Sequence, residues 1–224
     1  MNWIPLYSVF FMLREDIHKL RQNYKRSSLE EGSACQNAIE QFDKWFAEAA
    51  AAKIYEYNAM TLATCSKNRP DARIVLLKSF SEEGFVFFTN YNSTKGKDLE
   101  DNPQAAMVFL WKDLERQVRI RGIVKKVERS VTEKYFLSRP KESQCGAIAS
   151  AQSKEISSRD ELEKQYQDIL NNYKESEKVV PKHWGGYILQ ADEIEFWQGR
   201  EGRMHDRLLY KKNKATWAIV RLQP

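Results

Sequence analysis

The chain has 224 residues, a formal net charge of +5, 42% hydrophobic residues and 30% charged residues. This composition belongs to a globular protein with one sizeable core, and its mild positive charge suits phosphorylated ligands as well as nucleic acid or an anionic membrane. Three widely spaced cysteines and three histidines exclude a disulfide framework and argue against a structural metal site, so we expect a reducing, cytoplasmic environment.

The first thirteen residues carry no charged side chain and include Trp3 and Ile4. They are too few to span a bilayer, and they lack the basic start and the cleavage pattern of a signal peptide. We interpret residues 1–13 as an apolar extension of unknown role, either packed on the protein or disordered, and residues 14–224 as one domain. No basic block is long enough for a nucleic-acid arm, so neither a membrane nor nucleic acid is expected as a partner.

Two helices are predicted before the first strand. Residues 15–29 are polar with apolar residues at helical spacing, and on this helix Arg21 and Tyr24 would be presented together. Residues 36–53 follow the i, i+3, i+4, i+7 apolar pattern. We expect this second helix to pack on the core and assign it no chemistry.

Residues 59–65, 72–80 and 85–90 are predicted as a meander of strands separated by polar turns. Arg73 and Lys78 have opposite parity on the second strand. A regular strand would therefore direct them to different faces, and to different ligands or different parts of one ligand. Charges that merely cap an apolar strand are the alternative interpretation.

A phosphate seat is predicted directly after the third strand. Ser93 is placed to cap a helix whose first turn carries Lys95 and Lys97. Free backbone N–H groups favour an anion there, and a bound anion would offset the unfavourable placement of lysines at a helix N-terminus. Asn102 and Pro103 are expected to end this helix.

Residues 105–111 and 115–127 are predicted as a hairpin, with Gln117 on its polar side and a bulge at Gly122. Residues 130–133 match a capping box that would open the next helix.

An anion clamp is predicted on that helix. Tyr135 and Arg139 are i, i+4 neighbours, and Ser143 lies just beyond Pro140. A surface contact is the alternative interpretation of this pair. Residues 143–152 are rich in small side chains, which suggests close packing against another backbone.

A charged helix over 157–172 and strands over 185–197 and 207–222 complete the predicted elements. We find no repeat or linker that would divide the chain. The predicted fold class is therefore mainly β with flanking helices (α+β).

The C-terminal motif begins with the aromatic pair at 196–197 and continues through two glycines into a basic run. If that run is extended, Arg203, His205 and Arg207 share one face, close to Trp197. Two cations and a group that titrates near neutrality suit a flat anionic ligand. A solvated strand face is the alternative interpretation.

This motif, Ile194-Glu195-Phe196-Trp197-Gln198 followed after four residues by Arg203-Met204-His205-Asp206-Arg207, resembles the C-terminal signature of pyridoxine (pyridoxamine) 5′-phosphate oxidases. The likeness extends from about Arg21 to the C-terminus. It implies an FMN-binding split β-barrel that forms homodimers, with FMN between the subunits. It also implies oxidation of pyridoxamine or pyridoxine 5′-phosphate to pyridoxal 5′-phosphate, with O2 reduced to H2O2.

The resemblance also implies residue roles. The residues expected to bind FMN are Arg73, Phe88, Thr89, Lys95, Gln117, Gln152, Ser153, Trp197 and Arg207. The residues expected to bind the vitamin phosphate are Lys78, Tyr135, Arg139 and Ser143. Arg203 and His205 would flank the reacting pyridine as the catalytic pair, and Arg21 and Tyr24 would close over it. Thr94 stands where family members commonly carry an arginine, so one FMN-phosphate cation is missing unless Lys97 replaces it.

Other functions are weighed against this one. A flavin oxidase of the same fold that acts on a phenazine precursor is the nearest, but it would not need four groups apt for a phosphate. A non-enzymatic carrier of FMN or pyridoxal phosphate would not need Arg203 together with His205. A nucleic-acid-binding barrel would need aromatic residues interleaved on a basic face.

Overall fold

The computed structural model describes residues 22–173 and 179–224. The α-helices in these two stretches are α1 (Ala38–Ala51), α2 (Thr94–Asp101), α3 (Arg129–Ser138), α4 (Lys141–Ala149) and α5 (Arg159–Asn172). The strands are β1 (Ala59–Ser66), β2 (Arg69–Leu76), β3 (Ser79–Ser81), β4 (Gly84–Asn90), β5 (Gln104–Trp111), β6 (Arg116–Lys126), β7 (Trp184–Gln198), β8 (Asp206–Asn213) and β9 (Thr216–Arg221). None of these helices is long and apolar enough to cross a membrane.

The strands form one antiparallel sheet whose main path runs β2-β1-β5-β6-β7-β4-β3. One edge of β7 pairs with β6 along most of its length, whereas the other edge is divided between β4 at 184–189 and β8 at 193–198. β9 pairs with β8 alone. Because β7 changes partner half-way, the sheet opens at this point. The predicted fold class, mainly β with flanking helices, is confirmed.

Helix α1 covers the core face of the sheet, as predicted. The ring of Phe42 lies 5.0 Å from Phe85 and 5.2 Å from Phe109, centroid to centroid. Trp45 meets Phe196 edge to face at 5.3 Å. The buried aromatic cluster holds α1 across β4, β5 and β7.

Several local predictions are confirmed. Ser93 caps α2 by accepting a hydrogen bond from the backbone N–H of Gly96 at 3.3 Å. β5 and β6 form the predicted hairpin, and the register of β6 against β7 shifts between Arg121 and Gly122, which is the predicted bulge.

The prediction of one strand over 72–80 is wrong. β2 ends at Leu76, and the backbone N–H of Leu77 donates to the carbonyl of Asn58. The next N–H, from Lys78, donates to Val86 on β4. The chain therefore changes partner strand at this corner.

The predicted capping box at 130–133 is also wrong. The N-cap of α3 is Glu128, two residues before Ser130, and its side chain forms no capping hydrogen bond with the described residues. The carboxylate of Glu133 instead accepts from Arg129 Nε at 3.0 Å, in an ion pair along the helix.

The close packing predicted for the small residues 143–152 is not seen at Gly146, where an added Cβ would meet nothing among the described residues within 4 Å. At its other positions it stays a prediction. Residues 22–29 are not helical, which contradicts that part of the helix predicted over 15–29. The remainder of that helix and the extension over 1–13 lie outside the described residues, so the proposed division into an extension and one domain stays a prediction.

Candidate functional site

A cleft of about 540 Å³ opens where the corner after β2, the end of β4 and helices α2 to α4 meet. The predicted site residues that line it are Arg73, Lys78, Phe88, Thr89, Lys95, Tyr135, Arg139, Ser143 and Gln152. Arg73 and Lys78 thus face the same cleft, and the expectation that they serve different faces is wrong. The break after β2 removes the regular alternation on which that expectation depended.

One end of the cleft is built around Lys95, on the first turn of α2. Its ammonium donates to Gln152 Oε1 at 3.0 Å, and Thr89 Oγ1 donates to the same oxygen at 3.2 Å. Arg73 is held nearby by an ion pair with Asp71. Burial, and after it the Arg73 cation, lower the pKa of Lys95. A bound anion would relieve both effects, so this end of the cleft fits a phosphate.

Neither Thr94 nor Lys97, the residues near Lys95 on α2, adds a second cation to the cleft. Thr94 and Lys97 are both exposed, and Lys97 is not among the residues that line the cleft. The geometry therefore does not support Lys97 as a replacement for the arginine that is absent at Thr94.

The other end of the cleft has an aromatic wall. The rings of Phe88 and Tyr135 stack at 4.1 Å, and Trp184 stacks beside Phe88 at 5.5 Å. Gly186 makes this possible, because a Cβ there would lie 2.8 Å from Phe88 Cε1. The wall presents flat apolar surface next to the cations of the cleft.

Arg139 crosses this wall and carries an unsatisfied donor. Its guanidinium lies 4.8 Å from the Trp184 ring centroid, and its Nη1 is buried without a hydrogen-bond partner among the described residues. Arg139 is the residue after α3, with extended backbone, so it is not the helical neighbour of Tyr135 that the sequence suggests. Burial lowers the pKa of Arg139, while Tyr135 opposes the shift. An unpartnered buried guanidinium in a cleft is a ready anion ligand.

A second group of predicted residues lies elsewhere in the subunit, around His205. Its imidazole is 4.7 Å from the Trp197 ring and 5.7 Å from the Tyr24 ring. Tyr24 lies directly against Gly199, where a Cβ would be 2.6 Å from Tyr24 Cγ. Arg203, His205 and Tyr24 line a cavity of about 530 Å³ that shares no lining residue with the first cleft.

The prediction that Arg203, His205 and Arg207 alternate along one strand is wrong. Residues Glu201–Arg203 form a 3-10 turn, Arg203 has a φ of 62°, and β8 begins only at Asp206. Gly202, with a φ of 61°, lets the chain turn before the strand starts, so Arg203 and His205 lie in the loop that precedes β8.

Gln117, Trp197 and Arg207 occupy directly opposed positions on β6, β7 and β8. They form a row on the sheet face that α1 does not cover. Arg207 Nε donates to Glu195 at 2.9 Å.

The two remaining predicted site residues lie apart from this row. Ser153 is exposed beside Gln152 with a φ of 68°, and Arg21 lies outside the described residues.

Comparison with known proteins decides the family. A family model described as pyridoxamine 5′-phosphate oxidase matches residues 46–173, and one described as the pyridoxine 5′-phosphate oxidase C-terminal dimerisation region matches residues 184–224. The chain belongs to the pyridoxamine 5′-phosphate oxidase family.

Similar members of this family include two proteins named pyridoxine/pyridoxamine 5′-phosphate oxidase. The protein from Leptospira interrogans is 49% identical over 210 residues, which cover 93% of this chain and 98% of the relative. The protein from Burkholderia lata is 53% identical over 209 residues, which cover 92% and 97%.

Solved structures of the family share the fold. PhzG from Burkholderia lata, in complex with tetrahydrophenazine-1-carboxylic acid, superposes with a TM-score of 0.83 at 27% identity, over 91% of this chain and 100% of that chain. An FMN binding protein from Nostoc punctiforme gives a TM-score of 0.69 at 13% identity, over 85% and 100%. The split-barrel fold that the resemblance implied is confirmed.

Trp184 and Arg200 are parts of the site that the sequence analysis did not assign. Trp184 precedes a double glycine, a pattern that signals close packing of aromatic rings but not the cation placed over the indole. The backbone N–H of Arg200 donates to His205 Nδ1 at 3.1 Å. No sequence pattern indicates that contact, because it depends on the loop closing on itself.

Proposed function

We propose that this protein is an FMN-dependent oxidase that converts pyridoxamine 5′-phosphate and pyridoxine 5′-phosphate to pyridoxal 5′-phosphate. The alcohol and O2 give the aldehyde and H2O2; the amine, O2 and water give the aldehyde, ammonia and H2O2. FMN, when bound, supplies the two-electron acceptor and the reaction with O2. The protein's own residues bind, orient and neutralise the charge of the substrate.

The observation that carries the proposal is the unpartnered Nη1 of Arg139. Lys78, Tyr135 and Ser143 line the same cleft, so a cation, a phenol and a hydroxyl lie around a guanidinium that lacks an acceptor. This donor set matches the three acceptor oxygens of a phosphate ester. We assign it to the phosphate of the vitamin.

The other end of the cleft is assigned to FMN. Lys95 and Arg73 would hold its phosphate, with Thr89 and Gln152 beside it. The depressed pKa of Lys95 supports an anion at this position. Ser153 and Phe88 are assigned to the same cofactor.

A second copy of the chain would complete the site. Leu110 is 64% exposed, and it continues the row of Gln117, Trp197 and Arg207 on the uncovered face of the sheet. The C-terminal family match is to a dimerisation region. We propose that this face forms a homodimer in which Trp197, Arg203 and His205 of one subunit meet the cleft of the other.

In that arrangement Arg203 and His205 orient and polarise the substrate ring, and Tyr24 closes over it. Arg21 is assigned to the same closing segment. Neutral His205 carries its proton on Nε2, because Nδ1 accepts from Arg200, so it presents an N–H donor toward a ligand.

Anaerobic spectroscopy tests the proposal. The purified protein should show the absorbance of oxidised flavin, and pyridoxamine 5′-phosphate should bleach it without oxygen. A flavin that stays oxidised would exclude this substrate. A colourless protein that cannot take up FMN would contradict the cofactor assignment.

A second candidate function is oxidation of a phenazine precursor, favoured by the superposition with PhzG. The compound in that structure is a carboxylic acid and has no phosphate ester. Adding tetrahydrophenazine-1-carboxylic acid in the same anaerobic experiment separates the two substrates. Faster bleaching by the phenazine compound would favour this alternative.

A further inference from the structure

Asp206, the first residue of β8, is a buried carboxylate that joins three segments of the chain. It is 8% exposed. Its Oδ1 accepts from Arg221 Nη1 at 2.8 Å, and its Oδ2 accepts from Arg200 Nη1 at 3.1 Å. Oδ2 also accepts from the backbone N–H of Leu29 at 3.0 Å. One carboxylate therefore links the end of β9, the loop before β8 and the segment that follows Tyr24.

Arg221 closes the other side of this junction. Its Nη2 donates to the carbonyl of Leu29 at 3.0 Å and to Glu31 at 2.6 Å. Both backbone polar groups of Leu29 are thus held by side chains of β8 and β9. A backbone residue fixed at N–H and C=O together has little freedom to slide or rotate.

Two of the three residues that contact the His205 imidazole, Tyr24 and Arg200, are linked to this junction, and the third is Trp197. Tyr24, five residues before Leu29, meets the His205 ring edge to face. Arg200, whose side chain pairs with Asp206, donates its own backbone N–H to His205 Nδ1. Asp206 therefore fixes, through Leu29 and Arg200, two of the residues that surround the imidazole.

We propose that Asp206 and Arg221 are positioning residues that set the orientation of His205 and Tyr24 toward the substrate. The expected change in kcat/KM rests on the proposed function, whereas the effect on the orientation of His205 and Tyr24 does not. The junction acts through Arg200 on the imidazole and through Leu29 on Tyr24. The junction would thereby act on a flat anionic substrate, because the ring of that substrate meets His205 and Tyr24 in the proposed site.

Asp206→Asn tests the proposal, because it keeps the volume but removes the charge and one acceptor. We expect kcat/KM for pyridoxamine 5′-phosphate to fall about 10- to 100-fold at unchanged FMN content, the scale of a small misplacement of an orienting group. Arg221→Ala should do the same, and Arg221→Lys should recover part of the loss. The matched control is Asp192→Asn, an exposed carboxylate on β7. Equal effects of Asp206→Asn and Asp192→Asn would overturn the proposal.

Nitrogen NMR of histidine-labelled protein gives a readout independent of activity. The chain has three histidines, and His205 can be assigned with a His205→Gln variant. The wild type should show a neutral ring with the proton on Nε2 and a hydrogen-bonded Nδ1. Asp206→Asn should shift that Nδ1 signal toward the value of a free imidazole. An unchanged signal would overturn the proposal.

The two measurements separate the two hypotheses. If the wild type fails to oxidise pyridoxamine 5′-phosphate but the Nδ1 signal still responds to Asp206→Asn, the proposed function fails and the positioning role stands. If the variant merely unfolds, its melting temperature falls and FMN is lost. In that case the less disruptive Arg221→Lys variant must still shift the His205 Nδ1 signal. An unchanged Nδ1 signal in Arg221→Lys would overturn the proposal.

Discussion

Arg139 lies with its guanidinium 4.8 Å from the centre of the Trp184 ring, and its Nη1 is buried with no acceptor in residues 22–173 and 179–224. The indole face offsets part of the cost of burying the cation, but it does not replace a hydrogen bond. In the proposed function the substrate phosphate would satisfy this donor, and the unpaired donor would cost stability when the cleft is empty.

Arg139→Met should separate these two contributions. We expect KM for pyridoxamine 5′-phosphate to rise about 10- to 100-fold, because one charge-assisted contact of about 1.5–3 kcal/mol is lost. The free energy of unfolding should stay the same or increase by up to about 1 kcal/mol, since an unpaired buried donor is removed. Steady-state kinetics and urea unfolding measure the two effects.

The control for this prediction is Arg129→Met, at the first residue of the helix that ends just before Arg139. Arg129 donates to the carbonyls of Val180, Pro181 and Trp184, so its loss should reduce stability. A large loss of stability in Arg139→Met, similar to that in Arg129→Met, would show that Arg139 is structural.

Lys95 and Lys97 provide a second comparison, on one turn of α2. Lys95 lines the cleft and Lys97 does not. Lys95→Ala should weaken FMN binding about 10- to 100-fold, the equivalent of one charge-assisted hydrogen bond. Lys97→Ala should change FMN binding less than about twofold, because Lys97 does not line the cleft and no such hydrogen bond is lost. Quenching of FMN fluorescence by the apoprotein measures both dissociation constants. Equal weakening in the two variants would mean that general positive charge, not a specific contact, holds the phosphate.

Patterns of short range could be predicted from the sequence. The Ser93 cap, the bulge at Gly122 and the packing of α1 each depend on residues within one element and its immediate flanks, and all three are confirmed. The roles that the resemblance implied for the clustered cleft residues stay proposals.

Features that depend on a change of partner strand or on a loop could not be predicted. The corner at Leu77 and Lys78 exists because β4 accepts a hydrogen bond that a regular strand would have given to β1. The turn at Glu201–Arg203 breaks the alternation that would have aligned Arg203 with Arg207. In both cases contacts outside the local segment interrupt the alternation of side chains that a regular strand would have.

The exposed sheet face leads to a prediction about assembly. Leu110 and Ile74 are 64% and 65% exposed in the single chain, on the face that α1 leaves uncovered. Leu110→Arg should dissociate the proposed homodimer and reduce FMN content, because a buried charge without a partner opposes association. Sedimentation velocity and the flavin-to-protein ratio measure both. Tyr55→Arg, at a residue that is 89% exposed, is the matched control. A Leu110→Arg protein that remains dimeric with full FMN would exclude this face as the interface.

The protonation of His205 gives a prediction about pH. Burial, and after it the Arg203 cation, lower the pKa of His205 below its ordinary 6.5, while Asp206 opposes the shift. The fold thus favours the neutral imidazole. Its contribution to stability is complete above pH 6.5 and declines as the pH falls through 6.5 toward the lowered pKa. Protonation of Nδ1 would also place an N–H donor against the backbone N–H of Arg200, and the hydrogen bond between the two would be lost.

The acid limb of kcat/KM should therefore lie below pH 6.5. Asp206→Asn removes the opposing carboxylate and should move the limb to lower pH, whereas Arg203→Gln removes a cation and should move it to higher pH. Titration of the His205 nitrogen signals should follow the same order without substrate. A limb at or above 6.5, or shifts in the reverse order, would show that another group controls the acid side of the profile.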